Sequence, residues 1–225
     1  MALAITGTTT RGTSTGTSSL SFSKEVPSGS DLLTVQISHS RGADSVSGVT
    51  FNGDAMTRAI HSSANVGAYI YYLANPDIAT GNVIVSISAG SDRALVATAV
   101  SWSGADTSDP IGGTAGVQGD STTPSIAVNT EGTNSIVIDA VTGLNLNIMT
   151  EGAGQTVITN QVQVGTAQSE VAGSSYEAAA SPSSITMSWT MAGSAQWDIC
   201  AAELKISAVA GVSRDARLLS LLGVG

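Results

Sequence analysis

Charge is what this chain has least of. Only 11% of its 225 residues are Asp, Glu, Lys or Arg, against roughly 25% in an ordinary soluble protein. The 8 basic residues are scattered and the acids number 17, for a net charge of −9. Proteins that grip nucleic acid neutralise phosphates with clustered Lys and Arg, and an anionic membrane surface repels an acidic chain. Nucleic acid and membranes are therefore not expected partners. Cysteine occurs once, at Cys200, which excludes an internal disulfide; within the run AQWDICAAELKI it reads as a small core hydrophobe. No stretch approaches the roughly 18 apolar residues of a membrane-spanning helix. The opening MALAITGTTTRG has neither the basic n-region nor the apolar core of a signal peptide, so synthesis in a cytoplasm is expected.

Groups for chemistry are equally sparse. The motifs HExxH, CxxC, GxSxG and the EF-hand loop are absent. The two histidines, His39 and His61, stand beside Ser-rich turns in SHSRG and IHSS and read as solvated loop residues. Asp106 and Asp109 in GADTSDP could offer oxygens to Ca²⁺, but Asx-type turn bonding accounts for the same pair. Glu170 and Glu177 carry no mark that separates a glycosidase pair from surface charge. No catalytic residue, metal ligand or cofactor is assigned, and the chain is not expected to be an enzyme.

What the chain does have is alternation. Hydrophobic residues make up 42%, and they recur with a period of two, which marks a strand with one buried face. Leu33, Val35 and Ile37 share one face of DLLTVQIS, with Thr34, Gln36 and Ser38 on the other. Val83, Val85 and Ile87 do the same in NVIVSIS, opposite Asn82 and Ser86. Ile136, Ile138 and Ala140 oppose Asp139, and Ile185, Met187 and Trp189 oppose Thr186, Ser188 and Thr190. Turn formers punctuate these runs: Pro27-Ser-Gly29, Asn52-Gly-Asp54, Asn75-Pro-Asp77, Gly90-Ser-Asp92, Asp109-Pro110 and Glu131-Gly-Thr-Asn134. FNGDAMTR is a hairpin candidate, because Asn-Gly suits a type I′ turn. The Thr/Ser/Gly-rich start reads as an edge strand with a polar loop.

Strands at about ten-residue spacing without helical periodicity predict an all-β protein, an antiparallel β-sandwich of jelly-roll-like topology. One sandwich domain is expected over residues 1–207, followed by a Leu-rich helical arm over 208–225. In that tail Ser213 suits an N-cap and Gly223 a C′ position, with Leu218, Leu219, Leu221 and Leu222 forming an apolar cluster. The tail either folds back on the sandwich or inserts into a neighbouring subunit. Tyr69 and Tyr71 fall on one face of AYIYYL, with Tyr72 opposite. Exposed on a flat sheet, they would suit glycan stacking or subunit contact; the other reading places them in the core with Trp102, Trp189 and Trp197.

Several of these elements carry a resemblance. Phe51-Asn52-Gly53 with Met56-Thr57 comes first, then Tyr71-Tyr72-Leu73 with Pro76, and Gly81 with Val83 and Val85. Ser101-Trp102 follows with Gly104-Ala105-Asp106 and Pro110, and the series ends in Ala202-Glu203-Leu204-Lys205. This succession resembles a β-sandwich module of tailed-bacteriophage virion proteins over about residues 45–206, with Ala105 where valine is frequent in the module. Members of that group serve as capsid decoration or head-fibre parts and as tail-associated parts. The resemblance implies a non-enzymatic virion protein without carrying over any catalytic residue. A capsid decoration or cement protein on the outer shell of a tailed phage is expected, with a tail-fibre or tail-tip receptor- or glycan-binding protein as the alternative. Its partners would be the major capsid protein or another virion protein, and other copies of itself, a trimer being favoured. Ala2, Leu3, Ile5, Leu218, Leu219, Leu221 and Leu222 are the candidate contact residues.

Overall fold

The computed structural model describes residues 2–64, 66–88, 93–144, 149–165 and 168–207. Among them the chain is all strand and turn, and the strands fall into two consecutive sets. The first comprises β1 (Ala4–Thr15), β2 (Ser19–Glu25), β3 (Leu32–His39), β4 (Val46–Phe51), β5 (Asp54–Ala55), β6 (Thr57–Ser62), β7 (Gly67–Ala74), β8 (Thr80–Ile87) and β9 (Ala94–Ser103). The second comprises β10 (Ile111–Ser121), β11 (Ser125–Asn129), β12 (Ser135–Gly143), β13 (Thr150–Glu151), β14 (Thr156–Val164), β15 (Ser169–Ala179), β16 (Ser184–Thr190) and β17 (Ala195–Leu204).

The two sets have the same topology. The first forms sheets β1-β9-β3-β7-β6 and β2-β8-β4-β5; the second forms β10-β17-β12-β15-β14 and β11-β16-β13. If β5 and β6 are counted as one strand that changes sheet at Met56, each set runs first-eighth-third-sixth-fifth in one sheet and second-seventh-fourth in the other. Every pairing is antiparallel. The correspondence extends to register. Thr57 pairs with Tyr72 and a bulge follows between Arg58 and Ile60; Thr156 pairs with Tyr176 and a bulge follows between Val157 and Thr159. Bulges re-aim a strand at a fixed point, so the same device bends the fifth strand of each set over its neighbour.

The antiparallel sandwich expected from the sequence is present, in two copies. The single sandwich anticipated over 1–207 is replaced by two, fused back to back into four layers. One core fills the first sandwich around Val35, Phe51, Tyr69 and Val85. Another fills the second around Val141, Met187, Trp189 and Ile199. A third lies between the two five-stranded sheets, where Leu32, Val100 and Trp102 meet Ile138, Cys200 and Leu204. Trp102 of the first sandwich stands edge-on to Tyr176 of the second, with ring centroids 5.9 Å apart and planes at 87°, a favoured aromatic geometry. The fifth strand of each five-stranded sheet lies over the first strand of the other, β6 against β10 and β14 against β1, as a local two-fold axis requires.

This stacking changes the meaning of the alternation. In the outer sheets the polar positions do face solvent: Asn82, Ser86 and Thr186 are exposed. In the inner sheets both faces are covered, and β3, β9 and β12 are buried almost throughout. Thr34, Gln36 and Ser38, read as a solvent face, lie against the second sandwich. The turns at Asn52-Gly53, Asn75 and Asn134 follow the sequence, whereas Gly90-Ser-Asp92 lies outside the described residues. Asn52 and Gly53 have φ of 51° and 97°, the left-handed pair of a type I′ hairpin, and Asn75 and Asn134 take φ of 51° and 55°.

Candidate functional site

Among the described residues, polar groups gather at the seam between the sandwiches, at the buried acids of β12, β15 and β17, and in a groove on the first sandwich. The seam is closed by hydrogen bonds as well as by apolar contact. The Ser38 hydroxyl donates to the Val141 carbonyl at 3.0 Å, Thr142 donates to the Gly67 carbonyl at 2.6 Å, and Thr98 donates to Thr159 at 3.0 Å. Asp198 of β17 accepts from the Ser62 hydroxyl at 2.6 Å and from the amides of Ala64 and Val66 at 3.2 and 2.8 Å. Burying a hydroxyl or a carboxylate is costly unless it is paired, and these pairings offset that cost.

Two other buried acids also hold backbone. Glu203 accepts from the amides of Gly113, Glu131 and Gly132 at 3.0, 2.8 and 2.8 Å. Burial pushes its carboxyl up, but the amides of Glu131, Gly132 and Gly113 outweigh burial and hold it below the usual carboxylate range. Asp139 accepts from the Ser175 amide and hydroxyl at 2.5 and 3.0 Å and from Trp189 Nε1 at 2.7 Å. There burial wins over the donors, and the carboxyl is pushed up to about 7. Glu170 differs from both. It is fully buried, neither carboxylate oxygen meets a donor among the described residues, and burial raises it well above the ordinary value. It shares a strand with Glu177, seven positions on, so the two point to opposite faces of β15 and form no paired-acid site.

A nucleophile–base contact does occur, though sealed from solvent. His39 Nδ1 lies 2.7 Å from Ser45 Oγ, and the Ser45 amide donates to the Tyr69 hydroxyl at 3.1 Å. His39, Ser45 and Tyr69 are 1%, 2% and 0% exposed, so no substrate reaches the hydroxyl. Beside it opens a groove of about 760 Å³, bordered by Asp44, Val49, Met56, Arg58, Tyr71 and Ser88. Arg58 clasps both oxygens of Asp44 at 2.7 Å, and that hydrogen bonding raises its guanidinium. His61 Nε2 stands 3.8 Å from the same carboxylate. The groove marks where β5, two residues long, leaves the edge of β4 incompletely covered.

The residues singled out in the sequence fall as follows. Tyr69 and Tyr71 are 0% and 4% exposed and belong to the first core, which removes them as glycan-stacking residues; their face of β7 is the one turned toward β4 and β8. Leu3 and Ile5 pack into the central layer and are not free contact residues, whereas Ala2 is exposed. Leu218, Leu219, Leu221 and Leu222 lie outside the described residues. The histidines are not solvated loop groups: His39 is buried at the end of β3, and His61 is half-buried in β6, stacked parallel to Tyr69 at 5.7 Å. Asp106 accepts from the Ser108 amide and hydroxyl at 2.9 and 2.6 Å, as an Asx turn does, and Asp109 pairs with Lys205. Cys200 packs in the central layer, where burial pushes its thiol well up. The roles of Asp139, Asp198 and Glu203 were not read from the sequence. The signal available was an acid within an otherwise apolar strand, at Asp139 in SIVIDAV, Asp198 in QWDIC and Glu203 in AAELK.

Comparison with family models, with curated proteins and with solved structures finds no match for this chain.

Proposed function

We propose that this chain is a non-enzymatic structural protein of a tailed-phage virion that decorates or cements the outer surface of the capsid. The observation that carries the reading is how its reactive groups are used. Asp198, Glu203 and Asp139 are committed to backbone and side-chain donors, and the Ser45–His39 contact is sealed in a core. The residues behind the phage-module resemblance do structural work as well: Asn52 and Gly53 make a turn, Phe51 and Trp102 fill cores, and Gly104 accepts a tight turn. The outer sheets present Ser, Thr and Asn rather than charge, as at Ser21, Ser23, Asn82 and Thr186, which suits a surface packed against other subunits and water.

In this reading the mechanism is burial of interface. A protein contact of standard size buries about 1,600 Å² in total and holds without covalent linkage. Copies of the chain, with three-fold clustering favoured, would present their double sandwiches outward and attach through a terminal segment, for which 208–225 is the candidate. The test is co-sedimentation of the purified chain with capsids of the phage or prophage that encodes it. Saturable binding to intact shells supports decoration. Binding confined to tails assigns the chain to the tail, and binding to neither rejects a virion role.

A further inference from the structure

We propose that β10 is a docking edge through which two copies of this chain pair by antiparallel strand addition. The two sandwiches supply an internal comparison, because β1 and β10 are the same strand of the same topology and each ends a five-stranded sheet. Free sheet edges recruit other strands unless bulges, charge or a covering group blunt them. The edge of β1 is blunted. Its register breaks between Thr6 and Thr10, with Gly7 at φ 62°. It carries Arg11, and the Lys24 ammonium, 1% exposed, donates to the Thr8 carbonyl at 2.7 Å.

β10 has none of these guards from Thr114 to Gly119. Its register shift is confined to the start, between Ile111 and Thr114, where Glu203 takes the Gly113 amide. From Thr114 to Ser121 it runs in unbroken register with β17, with no Lys, Arg or Pro, and its only charge is Asp120. In an antiparallel pair, alternate residues turn N–H and C=O away from the partner strand. Among the described residues, no backbone or side-chain group outside β17 hydrogen-bonds the main chain of Thr114–Gly119. Thr114, Gly116 and Gln118 are exposed, and Val117 is 36% exposed.

The edge is complementary to itself. Pairing two β10 strands antiparallel about Val117 sets Val117 opposite Val117, Gly116 opposite Gln118, Ala115 opposite Gly119 and Thr114 opposite Asp120. No acid faces an acid, although each chain carries −9, and two β-branched apolar side chains meet at the centre, a favourable cross-strand pair. The contact is isologous and closes as a two-fold dimer, joining two five-stranded sheets into one. It does not rest on the virion role, since it forms between purified chains.

Sedimentation velocity over a dilution series of the full chain tests it, with Val117→Lys against Val157→Lys as control. Val157 is equally exposed, at 37%, but sits in β14 at the bulged opposite edge of the same sheet. Wild type and Val157→Lys should dimerise alike, and Val117→Lys should raise the dimer dissociation constant at least about tenfold, a loss of roughly 1.4 kcal/mol. A second variant reads the register: Val117→Cys should form a disulfide-linked dimer on mild oxidation, because facing Cα atoms about 4.5–5.5 Å apart are within disulfide reach, while native Cys200 is buried. A wild-type chain that stays monomeric overturns the proposal. So does a dimer equally tight in both lysine variants and not cross-linked by Val117→Cys.

Discussion

The Ser62 hydroxyl donates to Asp198 Oδ1 at 2.6 Å, joining residues 136 positions apart and tying the β6–β7 turn of one sandwich to the last strand of the other. The same carboxylate takes the amides of Ala64 and Val66. Asp198→Ala would leave the Ser62 hydroxyl and the Val66 amide buried without an acceptor, a change that costs about 3 kcal/mol. Ser62→Ala removes one donor only and should cost about 1 kcal/mol. Urea unfolding of the two variants checks the ranking; a midpoint for Asp198→Ala within error of wild type would show that the seam does not depend on this acid.

Asp139 gives the second sandwich a pH dependence of definite sign. Its carboxyl lies at about 7 in the folded chain against 3.8 as a free group, so the folded state holds the proton more tightly. Stability from this group is complete below about pH 4 and is lost as pH rises through about 7. Trp189 is the reporter, since its Nε1 donates to Asp139 Oδ2, while Trp102 and Trp197 donate to the hydroxyls of Thr34 and Ser121. The Trp189 indole N–H resonance alone should shift with a midpoint near 7, and Asp139→Asn should abolish the shift.

Glu170 acts in the same direction. Burial raises its carboxyl well above the ordinary value, and it has no donor among the described residues, so ionisation leaves a bare buried charge. Its stabilising contribution is full below the ordinary carboxylate range and is lost as pH rises, so Glu170→Gln should lessen that loss in thermal melts. A loss that survives the substitution undiminished would belong to another group.

Gly104 cannot be replaced without strain. It takes φ 79°, and a Cβ there would lie 2.5 Å from the Ala2 carbonyl oxygen. Left-handed strain and the backbone clash together should cost Gly104→Ala about 3 kcal/mol, which for a chain of this size lowers Tm by roughly 10 °C. The neighbouring Ala105, bridged to Ile206, is already the small residue the site accepts.

Much of the first sandwich was legible because its constraints are local. The type I′ turn at Asn52-Gly53 and the inward set Leu33, Val35 and Ile37 follow from backbone sterics and side-chain periodicity alone. The duplication was not legible, because the two copies share burial and register rather than residue identity: Trp102 and Leu204 fill matching places in the central layer, as do Val100 and Ala202. The polar face of β3 was misjudged for a related reason. Alternation reports that Thr34, Gln36 and Ser38 are polar, and only the second sandwich decides that they are buried. Tyr69 and Tyr71 are ambiguous by nature, since the ring suits a core while the hydroxyl needs a partner, and Ser45 and Val46 supply those partners. The buried acids went unassigned because the donors they hold lie 36 to 136 positions away.

Attachment and fold are separable in this account. The described chain closes at Ser207, whose amide donates to the Gly104 carbonyl at 2.9 Å. Deleting residues 212–225 leaves that closure intact, so the truncated chain should melt like wild type and yet lose binding to capsids. Undiminished binding would move the attachment surface onto the sandwiches.

The most direct test of the virion role is the copy number of this chain in purified particles, measured by quantitative mass spectrometry against the shell protein. The account predicts a copy number on the scale of the capsid lattice, in fixed ratio to the shell subunit. A chain absent from particles purified through a density gradient would contradict it.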